Sequence, residues 1–263
     1  MRRSPFARAG LPALAALVVF FLIAPTIVVV GSSFGATRSL AFPPKGFSTR
    51  WYENFFTDAW LPTAGTSLKV AVLAALLATV LGTMGALGVV RGRFPGRQAV
   101  QALFVAPMIV PTVILGIGVF QVFGGWHITG SLLGLVLAHT ALALPFVVVT
   151  VGASLQTVDP VLERAAANLG AGPVATFARI TLPLILPGVL TGALFAFVTS
   201  LDEVVVAIFL TSPTVTTLPV QIFATLQNFL DPTVAAISTM LLAVTVIVLV
   251  GSAFMTRKQE ANQ

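Results

Sequence analysis

Cysteine is absent from the 263 residues, which removes disulfide frameworks, thiolate metal sites and thiol nucleophiles from consideration. Charge is scarce as well: 14 Lys and Arg and 8 Asp and Glu make up only 8% of the chain, where an average soluble domain has about 25%. A soluble protein of this length can bury a full core, but it needs charged side chains to cover its surface. This chain does not have them. Disorder is excluded by the 57% of residues that are hydrophobic, since low hydrophobicity is what keeps a chain unfolded. Lysine occurs only at Lys45, Lys69 and Lys258, none of them in the Gly-x-x-x-x-Gly-Lys-Ser/Thr setting that cradles phosphates. The two histidines offer little chemistry by position: His127 falls in a turn and His139 in an apolar run, with no second pair to ligate haem. His139 and Ser154 share one apolar run, and at 1.5 Å per residue they stand about 22 Å apart, too far to exchange a proton as a protease pair would.

Long charge-free runs are what the chain does have. No Asp, Glu, Lys or Arg lies between Arg97 and Asp159, Arg179 and Asp202, Glu203 and Asp231, or Asp231 and Arg257. A membrane span needs roughly 20 apolar residues, and six such segments can be placed, at about 11–33, 64–90, 99–123, 132–155, 184–210 and 233–255. The first follows a basic start but exceeds the apolar core of a cleaved signal peptide, so it reads as an uncleaved span. With the N-terminus inside, the inner segments hold Arg2, Arg3, Arg8, Arg91, Arg93, Arg97, Arg164, Arg179, Arg257 and Lys258. The outer ones hold Arg38, Lys45, Arg50 and Lys69. This asymmetry places both termini in the cytoplasm and accounts for a pI near 11.1 without invoking nucleic acid. The fold expected is an all-α polytopic membrane protein, one transmembrane domain over residues 1–263.

Small residues recur every fourth position at Ala78, Gly82 and Ala86 and at Gly130, Gly134 and Ala138, a pattern that lets helices approach closely within one subunit or, less commonly, between two. Pro107 and Pro111 in the third span and Pro145 in the fourth predict bends. On the outer side, Trp51 with Phe55 and Tyr52 with Phe56 predict an aromatic-faced helix over 48–58 at the membrane interface. Ile222, Phe223, Leu226 and Phe229 predict a short amphipathic helix over 219–229.

The longest inner segment, about 156–183, is the most specific. Asp159-Pro160 is a helix start, Gly170 a left-handed stop, and Gly172-Pro173 starts a second short helix that reaches about Ile180. A helix, glycine turn and helix beside a bundle could dock a soluble partner or merely connect two spans. Here Ala165-Ala166, then Gly170 three residues on, then Ile180-x-Leu182-Pro183 after nine more resembles the EAA loop of permease subunits of binding-protein-dependent ABC importers. The family's Glu falls on Arg164, with Glu163 one place earlier. Ser200-Leu-Asp-Glu-Val-Val-Val206, Phe209, Pro213, Thr217-Leu-Pro-Val220 and Phe47-Ser-Thr-Arg-Trp-Tyr-Glu53 extend the resemblance to the spermidine/putrescine type.

The resemblance implies an inner-membrane permease subunit of an ATP-driven importer for a polyamine or similar organic cation, itself not an enzyme. It implies a sister permease, two cytoplasmic ATPase subunits that hold ATP and Mg, and a periplasmic binding protein, with no cofactor on this chain. The coupling loop would comprise Glu163, Arg164, Ala165, Ala166, Gly170, Ile180, Leu182 and Pro183. Alternatives are another solute, such as an amino-acid-like compound, or a self-sufficient secondary transporter, for which no internal repeat or broken-helix ion site is evident. Asp202 and Glu203 are the only acids inside an expected span. A carboxylate there costs on the order of 3 kcal/mol unless it faces a cavity or a partner. With Ser200 they are candidates for the translocation path; the other reading is a polar tie between helices.

Overall fold

The computed structural model describes residues 5–57, 59–228 and 231–260. Among them it is helix and connecting loop, with one isolated antiparallel bridge, Gly35 to Phe47. In chain order the helices are α1 (Pro5–Ser32), α2 (Arg50–Phe55), α3 (Leu61–Arg91), α4 (Arg97–Val105), α5 (Thr112–Gly125), α6 (Leu132–Thr157), α7 (Pro160–Asn168), α8 (Pro173–Thr176), α9 (Leu182–Asp202), α10 (Val205–Leu210), α11 (Leu218–Asn228) and α12 (Thr233–Glu260).

Among the described residues, four stretches are long and apolar enough to cross a membrane: Leu14–Ser32, Leu61–Arg91, Leu132–Thr157 and Pro173–Asp202. A fifth exists if α4 and α5 count together, and Thr233–Ile247 is a shorter apolar stretch of α12. The third expected span is therefore not one straight helix. Arg97–Met108 and Thr112–Gly125 meet at 104°, across a 3-10 turn at Ala106–Met108 and Pro111 with ψ of 129°. Two prolines four residues apart each remove a backbone donor, and together they break the helix where one would only bend it. Pro145, by contrast, lies buried inside an unbroken α6. The fifth expected span is also divided. α9 ends at Asp202, Glu203 is extended at φ −71° and ψ 124°, and α10 restarts at Val205.

The chain divides into two compact units, 1–61 with 224–244 and 62–223 with 245–263. In the first, Trp51 and Tyr52 of α2 pack against the end of α1 and the loop after it, while Phe56 stays exposed. Trp51 is 4% exposed and its Nε1 donates to the Gly35 carbonyl at 2.6 Å, while Tyr52 Oη and Ser33 Oγ are 2.6 Å apart. An indole N–H seeks an acceptor when buried, and the loop after α1 supplies one. Asp58 and Phe229, at the ends of the two amphipathic segments read from sequence, lie outside the described residues. Thr233 N–H is capped by Asp231 at 2.9 Å.

The second unit has two buried clusters. One joins α3, α6 and α9 through Ala78, Ala86, Val147, Leu155, Ile185 and Ala196. The other joins α3, α5, α6 and α10 through Val70, Phe123, Leu135, Val206 and Leu210. Between apolar helices in lipid, association comes from close packing because there is no water to expel. The small residues provide it: a Cβ on Gly82 would sit 2.7 Å from Val147 Cβ, and one on Gly192 would sit 2.5 Å from Thr150 Oγ1. Gly188 leaves no room at all beside Ser154. The Ala78–Gly82–Ala86 stripe thus serves packing within the chain.

Candidate functional site

The loop after α6 is built as its sequence dictates. Asp159 Oδ1 accepts from Val161 N–H at 2.8 Å, and Pro160 takes the first helical position, where its missing donor costs nothing. At the other end of α7, Ala171 N–H donates to the Ala166 carbonyl and Gly170 N–H to that of Ala167, both at 3.0 Å. This pair of bonds is a Schellman cap, and it needs the left-handed φ of +87° at Gly170. The segment that follows differs from expectation. The second loop helix does not stop near Ile180; α8 runs through a π-turn at Phe177–Thr181 directly into α9. Pro183 can neither donate to the Arg179 carbonyl nor tolerate it close by, and the wider turn absorbs the mismatch. Pro173–Asp202 is consequently one 30-residue helical run.

Glu163 fastens this loop to the bundle. Its Oε1 lies 3.3 Å from Arg91 Nε at the end of α3 and accepts from Thr181 Oγ1 in the π-turn at 3.0 Å. Arg91 also donates to the Val158 carbonyl at 2.8 Å. Arg164, which occupies the family's Glu position, points outward and reaches only the Pro160 carbonyl of its own helix, at 3.4 Å. Ala166 is buried and Ala165 exposed. The tip carries uncovered apolar side chains: Leu169 is 89% exposed and Val174 81%. Leu182 and Ile180 are half-buried and Pro183 is exposed. Sequence reasoning missed Arg91 and Thr181 as partners of the loop. Arg91 was legible only as part of a basic turn, because the acid it meets is far away in sequence.

The second candidate cluster surrounds the break between α9 and α10. Glu203 accepts from Val206 N–H at 2.7 Å and from Ala207 N–H at 2.8 Å, one with each carboxylate oxygen. It thereby caps the free donors of α10 and meets the positive end of that helix. His139, fully buried in α6, places Nδ1 2.8 Å from Ser200 Oγ and 3.2 Å from the Ser200 carbonyl. Its Nε2 lies 3.7 Å from Glu203 Oε2. The structure thus brings Ser200 and Glu203 together on His139 and leaves Asp202 apart and exposed. His139 was missed as a member of this cluster; the available signal was an imidazole in an otherwise apolar helix, which needs a partner when buried. Among the described residues no three His, Asp or Glu side chains are placed to share a metal ion.

Apolar helices long enough to cross a membrane, joined by a capped helical loop that presents apolar side chains outward, define an integral membrane component. The chain belongs to the family of binding-protein-dependent transport system inner membrane components, whose model matches residues 78–260. It is accordingly a multi-pass protein of the inner membrane, and a membrane component rather than a catalytic subunit. Over 230 residues it is 37% identical to the putrescine transport system permease protein PotI of Escherichia coli K12, covering 84% of this chain and 82% of that one. It is 35% identical to the spermidine/putrescine transport system permease protein PotC of Haemophilus influenzae, over 92% and 94%. It is 33% identical to the molybdenum transport system permease protein ModB of Mycobacterium bovis, over 76% and 83%. Among solved structures, a bacterial ABC transporter that imports the acidic polysaccharide alginate aligns with a TM-score of 0.74 at 16% identity, over 97% and 99% of the two chains. An amino acid ABC transporter with histidines aligns at 0.58 and 17%, over 79% and 97%. These two share the fold.

Proposed function

We propose that this chain is one of two permease subunits of an ATP-driven importer for putrescine, spermidine or a similar organic cation. It works with a sister permease, two cytoplasmic ATPase subunits carrying ATP and Mg, and a periplasmic binding protein. In this reading residues 1–263 form one transmembrane domain of six spans, α4–α5 and α12 completing the set, with both termini in the cytoplasm as the Lys/Arg asymmetry favours. The observation that carries the proposal is the loop: α7 is fixed to α3 and the π-turn by Glu163 while Leu169 and Val174 at its tip stay uncovered. A rigid knob with an apolar tip suits a cleft in a soluble subunit. The two putrescine-named relatives support the solute class, and Ser200, Asp202 and Glu203 near the α9–α10 break are the proposed path residues.

Reconstitution tests this directly. Uptake of putrescine into liposomes is expected only with ATP, an added ATPase subunit and the binding protein; uptake by the chain alone on an ion gradient establishes a secondary transporter instead. The molybdenum-named relative supports a second reading, an oxyanion importer. Thermal protection of the cognate binding protein decides between them: protection by molybdate and not by putrescine or spermidine overturns the polyamine assignment.

A further inference from the structure

Beside the loop, a cavity of about 470 Å³ is bounded by Arg91, Arg93, Arg97, Arg164, Glu163 and Pro160 among others. Four arginines and one glutamate thus line it. Arg91–Glu163 is the one Arg–carboxylate pair among the described residues, so Arg93 and Arg97 are uncompensated by any described acid. Arg164 touches only a carbonyl. Arg91, Glu163 and Ala167 are shared with an adjoining cavity of about 400 Å³ that runs past Leu87 and Phe177. Leu87, Phe177 and Pro173 in turn border a third, of about 470 Å³, walled by Thr83, Met84, Leu182 and Val189. The three form a continuous trench between α3 and the α8–α9 run, cationic at one end and apolar at the other. Two polar atoms along it are buried without a hydrogen-bond partner. One is Arg91 Nε, which lies near Glu163 but is not aligned to bond it. The other is Thr83 Oγ1, on a residue only 8% exposed.

We propose that this trench holds an anionic membrane phospholipid, its phosphate on Arg91, Arg93, Arg97 and Arg164 and an acyl chain between Thr83 and Val189. Guanidinium groups bind phosphate oxygens in pairs, and basic pockets beside membrane helices take anionic headgroups. Thr83 supplies a hydroxyl to an ester group within the groove. An acidic protein surface would match the arginines but would leave the apolar groove empty. A zwitterionic lipid fits the groove without matching the excess charge. The proposal rests on the inner-membrane assignment and is independent of solute and of ATP.

The test is native mass spectrometry on the chain purified from membranes with its co-purifying subunits and exchanged into equal phosphatidylglycerol and phosphatidylcholine. Wild type is expected to retain phosphatidylglycerol preferentially, and less of it as salt rises. The double variant Arg93→Gln/Arg97→Gln, at two exposed positions in the turn before α4 and at its first residue, should lose about thirtyfold in phosphatidylglycerol retention. Met84→Trp should displace both lipids by filling the groove with no change of charge. Equal retention of the two lipids by wild type overturns the proposal. So does a double variant that sheds a co-purifying subunit while holding phosphatidylglycerol as before, since the arginines would then serve a protein. Because lipid retention is read without any uptake measurement, a failed importer assay leaves this result standing, and the reverse also holds.

Discussion

At the scale of single residues, Gly170 and Glu163 are the sharpest tests. A Cβ on Gly170 meets nothing within 4 Å, so a larger residue there is penalised by backbone conformation alone, roughly 1–2 kcal/mol in the left-handed region. Gly170→Val should therefore abolish or severely reduce uptake at normal membrane insertion, and Gly170→Asn, which tolerates positive φ, should retain most of it. Loss of insertion in the valine variant would show that the loop guides folding. Glu163→Gln removes the charge that faces Arg91 and should reduce coupled uptake far more than Arg164→Gln, because Glu163, unlike Arg164, ties α7 to Arg91 of α3 and to Thr181. Equal defects in uptake would contradict that division. The cap at Asp159 and the stop at Gly170 were fully legible in the sequence, because both act on neighbours within a few residues. The partnership of Glu163 with Arg91 was not, because it is a contact across 72 positions that only the packing of α3 against the loop creates.

At the scale of elements, the break between α9 and α10 sets Asp202 and Glu203 in different surroundings. Glu203 caps α10 and lies against His139, so Glu203→Gln should cost about 1–2 kcal/mol, read as a lowered Tm of the solubilised protein. Asp202 is exposed and bonded to nothing described, so Asp202→Asn should leave Tm unchanged and impair uptake if it lines the path. A Tm loss for Asp202→Asn matching that of Glu203→Gln would reverse these assignments. Hydropathy could find α1, α3 and α6 because each is one uninterrupted apolar helix. It could not find the restart at Val205 or the 104° corner near Ile109, since a broken apolar segment has the same composition as a straight one. The prolines signalled the corner but not its size. The π-turn was equally silent, although Pro183 is its local cause.

For the whole molecule, the testable quantity is orientation. Reporter fusions after Arg97 and at Gln263 should read as cytoplasmic, and fusions after Lys45 and Thr214 as periplasmic. A periplasmic signal at Gln263 would falsify the six-span arrangement, because an even number of crossings returns both ends to one side. The orientation tested by these fusions rests on the Lys/Arg asymmetry alone, while the division of the chain into two compact units has no counterpart in composition.

The continuity of Pro173–Asp202 has a mechanical meaning. Thirty residues of helix extend about 45 Å at 1.5 Å per residue, with the α7 loop beside one end and the His139–Ser200–Glu203 tie at the other. A tilt of about 5° at the loop would displace the far end of such a rod by roughly 4 Å, more than a hydrogen bond can stretch. In the proposed importer, small movements of the ATPase under the loop would therefore arrive at the break as the making or parting of a single polar contact, amplified by leverage alone.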